Sequence, residues 1–151
     1  MKKRNTLVLA LVAVAAITVT GCGHLMMLMH GRNVSRPAAT EFGPGPRSSA
    51  AQQFTATLQP DQALRPRRMH TLRVAITDAA GAPVDNATIQ IDGGMPQHGH
   101  RLPTRPRVTR ALGNGLYEIE GVRFNMGGWW EFTLAITAPS GADVVTFNLN
   151  L

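Results

Sequence analysis

Trp130-Glu131-Phe132-Thr133-Leu134-Ala135-Ile136 alternates large apolar residues with small or polar ones. Pro139-Ser140-Gly141-Ala142 breaks the run, and Val145-Thr146-Phe147-Asn148-Leu149-Asn150-Leu151 resumes it. A period of two puts every second side chain on one face of a strand. Two such runs around a Pro/Gly turn predict an antiparallel hairpin with one buried and one wet face. Trp129 and Trp130 are adjacent, so they point to opposite faces. The alternation assigns Trp130 inward and leaves Trp129 the more exposed.

The same period runs back toward the N-terminus. Tyr117 and Ile119 alternate with Glu118 and Glu120, behind the hairpin signal Leu112-Gly113-Asn114-Gly115. Ile89 and Ile91 alternate with Thr88, Gln90 and Asp92, and Leu72, Val74 and Ile76 with Arg73, Ala75 and Thr77. Asp78-Ala79-Ala80-Gly81-Ala82-Pro83 supplies a turn between them. The pattern begins near Phe54. It predicts an all-β fold, an immunoglobulin-like antiparallel β-sandwich of about seven short strands over residues 54–151. Cys22 is the only cysteine in the chain. The core must therefore rest on aliphatic and aromatic packing, without an inter-sheet disulfide.

Upstream the composition changes. Residues 31–53 are rich in Pro, Gly, Ser, Ala and Arg, and Phe42-Gly43-Pro44-Gly45-Pro46 suits neither helix nor central strand. They read as the main part of a flexible tether over residues 22–53. Lys2-Lys3-Arg4 followed by the apolar run Leu7 to Val19 has the order of a secretory signal peptide, residues 1–21. Val19-Thr20-Gly21-Cys22 resembles a bacterial lipobox, in which Cys22 becomes the acylated first residue. Acylation disposes of a thiol that would be a liability in an oxidising compartment. Each buried CH₂ contributes about 0.8 kcal/mol, so more than one acyl chain anchors stably. An uncleaved membrane helix running on through Met29 is the competing reading, but Gly21, Gly23 and His24 interrupt it. The expected location is the cell envelope, lipid-anchored to a membrane and facing the periplasm or exterior. Gly23 after Cys22 resembles outer-membrane sorting.

The net charge of +6 falls to +3 once Lys2, Lys3 and Arg4 are removed with the signal. The remaining basic residues are all arginine and are spread along the chain. That is too dilute for a nucleic-acid partner. Nucleophile elbows, catalytic-triad spacings and phosphate loops do not appear, so no enzymatic activity is expected.

The densest chemistry is Gly93-Gly94-Met95-Pro96-Gln97-His98-Gly99-His100, where one thioether and two imidazoles fall within six residues. The chain has only 5 His and 7 Met. The glycines suggest a tight turn. In an extended segment His98 and His100 would share a side, with Cα atoms about 6.6 Å apart. Imidazole suits copper or zinc, and thioether favours Cu(I). Met126, just before Gly127-Gly128, is a further candidate ligand if its loop folds beside this one. His24-Leu25-Met26-Met27-Leu28-Met29-His30 is either an accessory copper tract or an apolar segment against the bilayer.

Residues 68–151 resemble the YtkA-like domain family, close to the FixH-like group. The matching pieces are Asp78 to Ala87, Gly94-Met95-Pro96-Gln97-His98-Gly99-His100, Gly113 to Gly121, and Phe124-Asn125-Met126-Gly127-Gly128-Trp129-Trp130. Arg101 stands where the family pattern suggests glycine. The resemblance implies an exported or membrane-anchored immunoglobulin-like domain. It also implies a role near copper handling or respiratory-oxidase assembly. Two functions follow as expectations. One is a monomeric, lipid-anchored protein that binds or delivers copper through Met95, His98, His100 and Met126. The other is a metal-free interaction module that docks an envelope protein through the His/Met loop and Trp129.

Overall fold

The computed structural model describes residues 34–151. The expected signal peptide, the Cys22 anchor, the first part of the tether and the His24–His30 tract lie outside the described residues. Nine strands follow in chain order: β1 (Arg47–Ser48), β2 (Phe54–Pro60), β3 (Met69–Asp78), β4 (Thr88–Met95), β5 (His100–Arg101), β6 (Arg107–Gly113), β7 (Leu116–Arg123), β8 (Trp129–Ala138) and β9 (Gly141–Asn150). Seven are long, as the alternation predicts, and two have only two residues. They form two sheets, β1-β2-β3-β7-β6 and β5-β4-β8-β9, with antiparallel pairing throughout. Leaving β1 aside, the four strands of one sheet and the β4-β8-β9 group of the other follow immunoglobulin constant-type order, with β5 as a short added edge.

The alternation decides which face is buried. Trp130, Phe132, Leu134 and Ile136 of β8 meet Leu72, Val74 and Ile76 of β3, together with Val145, Phe147 and Leu149 of β9, in one core. Phe124 caps this core with its ring edge-on to Trp130, centroids 5.2 Å apart. Aromatic pairs in this T-shaped arrangement contribute about 0.5–1.5 kcal/mol beyond their buried area. Asn114 and Gly115 both have positive φ, which gives the β6–β7 hairpin the turn expected from its sequence.

At one end of the sandwich, carboxylates close the loops. Asp78 Oδ1 accepts the N–H groups of Ala80 and Ala82, each at 2.9 Å, and Asp85 Oδ1 accepts that of Gly115 at 2.9 Å. Asp143 Oδ2 accepts from Ala51 and Gln53. Tyr117 adds a neutral clamp: its hydroxyl donates to Val84 O at 2.7 Å and accepts from Ala87 N at 2.9 Å.

The sandwich begins before Phe54. Phe42 forms a parallel bridge to Asn148, Gly43 N donates to Asn148 O, and Arg47–Ser48 pairs with β2. The Pro/Gly-rich composition read as tether thus includes a strap along β9. Proline and glycine exclude a long central strand but permit this edge-on course.

The strap explains Trp129. The residue does point to the outer face, opposite Trp130, but it is only 3% exposed. Phe42 packs edge-on against it at 6.4 Å, and Asn148 Oδ1 accepts its indole N–H at 2.9 Å. Arg36 lies over the Phe42 ring at 5.1 Å and donates to Asn150. The expectation of an exposed Trp129 is therefore corrected. Strand alternation gives the direction of a side chain, and another segment of chain covers that face.

Candidate functional site

The expected ligands lie at the end of the sandwich opposite the carboxylate-closed loops. β4 ends there on Met95, β5 begins there on His100, and the loop carrying Met126 crosses there from β7 to β8. Met95 lies opposite His100 in the β4–β5 ladder, and Gly94 lies opposite Arg101. Directly opposed residues in an antiparallel pair share a face, with Cβ atoms roughly 4.5–5.5 Å apart. Met95 and His100 thus project the same way. Met95 O accepts both His98 N–H at 3.0 Å and Gly99 N–H at 2.9 Å, which closes the turn.

His98 therefore sits in a turn and not in the extended segment expected from its spacing. The two imidazoles still come together. Their centroids are 6.2 Å apart with 23° between planes, and both residues are exposed. With metal–nitrogen bonds of roughly 2.0–2.1 Å, a centroid separation of this size admits one ion between the two residues once side-chain rotation turns a nitrogen of each ring toward it.

Gly93 and Gly94 also act differently from the tight turn expected of them. Both lie within β4. A Cβ on Gly93 would stand 2.8 Å from Glu131 O, and one on Gly94 would stand 2.6 Å from His100 O. Their lack of side chains lets β5 and β8 approach β4 closely.

Met95 is 2% exposed and belongs to the core. Its Cε lies 2.9 Å from where a Cβ on Gly128 would stand, and Gly128 has φ +119°. This contact places the Met95 turn and the Met126–Gly128 loop side by side. Met126 itself is 37% exposed, while its carbonyl accepts the Trp130 indole N–H at 3.1 Å. The backbone of Met126 is thus tied to the core and its thioether reaches solvent. Of the four expected ligands, His98, His100 and Met126 are accessible, and Met95 is a buried support beneath them.

An open hollow of about 350 Å³ adjoins the turn, lined by Asp92, Gly93, Gly94, Met95, Pro96, Gly99, His100, Arg101, Glu131 and Thr133. Arg101 reaches Asp92 at 3.5 Å in an exposed ion pair. Among the described residues, His, Cys, Asp and Glu do not assemble in groups of three or more suited to a metal. Any ion here would rest on the imidazole pair completed by thioether or water, a donor set suited to copper.

Two residues were missed by the sequence reading. Met69 opens β3 at this same end and is 56% exposed, and His70 follows it, buried. His70 Nε2 bonds with Arg65 O at 2.9 Å, its ring lies 6.3 Å from Phe124, and its Nδ1 has no partner. Met69-His70 lies directly before the alternating run from Leu72 and continues its strand, so its chemistry was hidden by its pattern. All three methionines and all three histidines among the described residues lie at this end.

The buried acid of the fold lies elsewhere. Glu118, on the outer face of the five-stranded sheet, accepts two bonds at 2.8 Å from the Arg110 fork. That hydrogen bond, with the guanidinium charge behind it, holds the Glu118 carboxyl below the usual carboxylate range.

The solved ZirS C-terminal domain is similar at 14% identity with a TM-score of 0.39, covering 93% of this chain and 94% of that one. No curated protein matches the sequence. The family model described as YtkA-like matches residues 48–135, from β1 into β8 and across all the Met/His loops. On that match, which covers more than half of its length, the chain belongs to the YtkA-like family.

Proposed function

We propose that this YtkA-like protein is a lipid-anchored component of the cell envelope that binds copper and passes it on. Acylated Cys22 holds it to the membrane, and the sandwich end with His98, His100 and Met126 carries the ion. The protein acts as a monomer without catalysing a reaction, and its recipient is an envelope protein such as a respiratory oxidase under assembly. The observation that carries this reading is the imidazole pair, 6.2 Å apart, on the turn that packs against the Met126–Gly128 loop. Two imidazoles with a nearby thioether bind cuprous ion without thiolate, which suits exchange in an oxidising space.

The metal-free interaction module is the weaker reading, because Trp129, half of its docking surface, is covered by Phe42. The test is a Cu(I) titration of the full chain in detergent against a competing chelator. The His98→Ala/His100→Ala variant is expected to bind at least roughly tenfold more weakly. Equal affinity would overturn the copper reading.

A further inference from the structure

Methionine is usually an interior residue, yet Met69 and Met126 are two of the four large apolar side chains exposed among the described residues. They stand on neighbouring segments. Met69 is paired with Arg123, and Met126 lies three residues beyond Arg123. The loops that carry them are stitched together. Arg67 N–H donates to Phe124 O at 2.7 Å, and Pro66 Cγ lies 4.0 Å from where a Cβ on Gly127 would stand. Beneath them, buried His70 packs its ring against Phe124. Two flexible thioethers therefore rise into solvent from one rigid base, on the five-stranded-sheet side of the end that bears the imidazoles.

We propose that Met69 and Met126 form a thioether pair that first takes cuprous ion, Met126 being shared between it and the His98/His100 pair. The inference rests on the copper reading above and deepens it. Two thioethers without a hard ligand favour Cu(I) and discriminate against Cu(II), whereas imidazoles accept both. The pair would accept Cu(I) and release it to the imidazoles by ligand exchange, with no change of oxidation state.

The experiment uses the full chain in detergent micelles with methyl-labelled methionine. Cu(I) is added anaerobically, and Cu(II) in a parallel sample. Met69→Leu and Met126→Leu assign the two methyl signals, and leucine is close in volume to methionine. Both methyl signals are expected to shift together with Cu(I), and in His98→Ala/His100→Ala, where no imidazole pair holds Cu(II) nearby, both are expected to ignore Cu(II). Either leucine variant should weaken the response of the remaining methionine by at least roughly tenfold. The response should survive in His98→Ala/His100→Ala. A Met69 signal that stays silent or shifts independently while Met126, His98 and His100 respond to Cu(I) would overturn the thioether pair and leave the copper reading standing. Silence from all four residues would overturn both.

Discussion

The two ends of the sandwich use their polar and polarisable side chains in opposite ways. At one end Asp78, Asp85, Asp143 and the Tyr117 hydroxyl each accept or donate bonds that close a loop. At the other end His98, His100, Met69 and Met126 are exposed, and the structural work falls to Trp130, Phe124, Met95 and glycine. The first end is closed by its own chemistry. The second is held by packing and by buried groups such as the His70 ring and the Trp129 indole, which leaves its exposed soft ligands available. A side chain that holds the fold cannot be surrendered to a ligand without loss of stability, so the division indicates where binding can occur.

Substitutions can break or sharpen this contrast. The largest effect is expected at Trp130, which is fully buried and whose indole N–H holds the Met126 carbonyl. Trp130→Ala should lower stability by about 3–5 kcal/mol in denaturant unfolding. If it costs less than a surface change, the packed base of the open end is misassigned. Tyr117→Phe comes next, because it leaves Val84 O and Ala87 N without their partner. It should cost about 1–3 kcal/mol while leaving copper affinity unchanged, and a loss of copper binding would couple two ends held here to be separate.

Gly128→Ala sharpens the picture of the open end. The new Cβ would meet Met95 Cε at a backbone φ of +119°. Destabilisation of about 1 kcal/mol or more is expected, with a changed Met95 methyl signal. An undisturbed Met95 would mean that the two loops do not touch.

Asp143 tests the closed end by pH. Hydrogen bonding from Ser49, and then from the N–H groups of Val144, Ala51 and Gln53, holds its carboxyl below its ordinary value in the folded state. Its stabilisation is therefore present above the unfolded-state pKa and is lost as pH falls through the lower folded value. Asp143→Asn should flatten the acid limb of the stability curve. An identical acid limb in the variant would show that Asp143 makes no such contribution. The smallest effect belongs to the ligands themselves. His98→Ala/His100→Ala should change stability by no more than about 0.5 kcal/mol, and a larger loss would show that these histidines hold the fold.

Much of this was legible beforehand, and the failures have physical causes. Alternation placed Trp130, Phe132, Leu134 and Ile136 in the core because the period of a strand is local. The Asn114-Gly115 turn was legible because its positive φ angles demand those residues. Burial of Trp129 was not, since it depends on Phe42, far away in sequence. The strap itself was hidden by a composition that resembles a linker. In the site, the meeting of His98 and His100 was anticipated, but by way of an extended segment and not the turn that produces it. Met95 read as a ligand because its neighbours are histidines. Its depth follows from the β4 register, which puts it on the same face as Ile89 and Ile91. Met69 was missed because it is brought to the Met126 loop only by pairing between β3 and β7.

Nitrogen chemical shifts of the histidine rings, followed while Cu(I) is added to the full chain, test the central claim most directly. His70, buried with its Nε2 engaged by Arg65, serves as the internal control. His98 and His100 should move together, at the same copper concentration, while His70 stays in place. If His98 and His100 hold still while copper is taken up elsewhere, or if copper is not taken up at all, the imidazole pair is not a copper site.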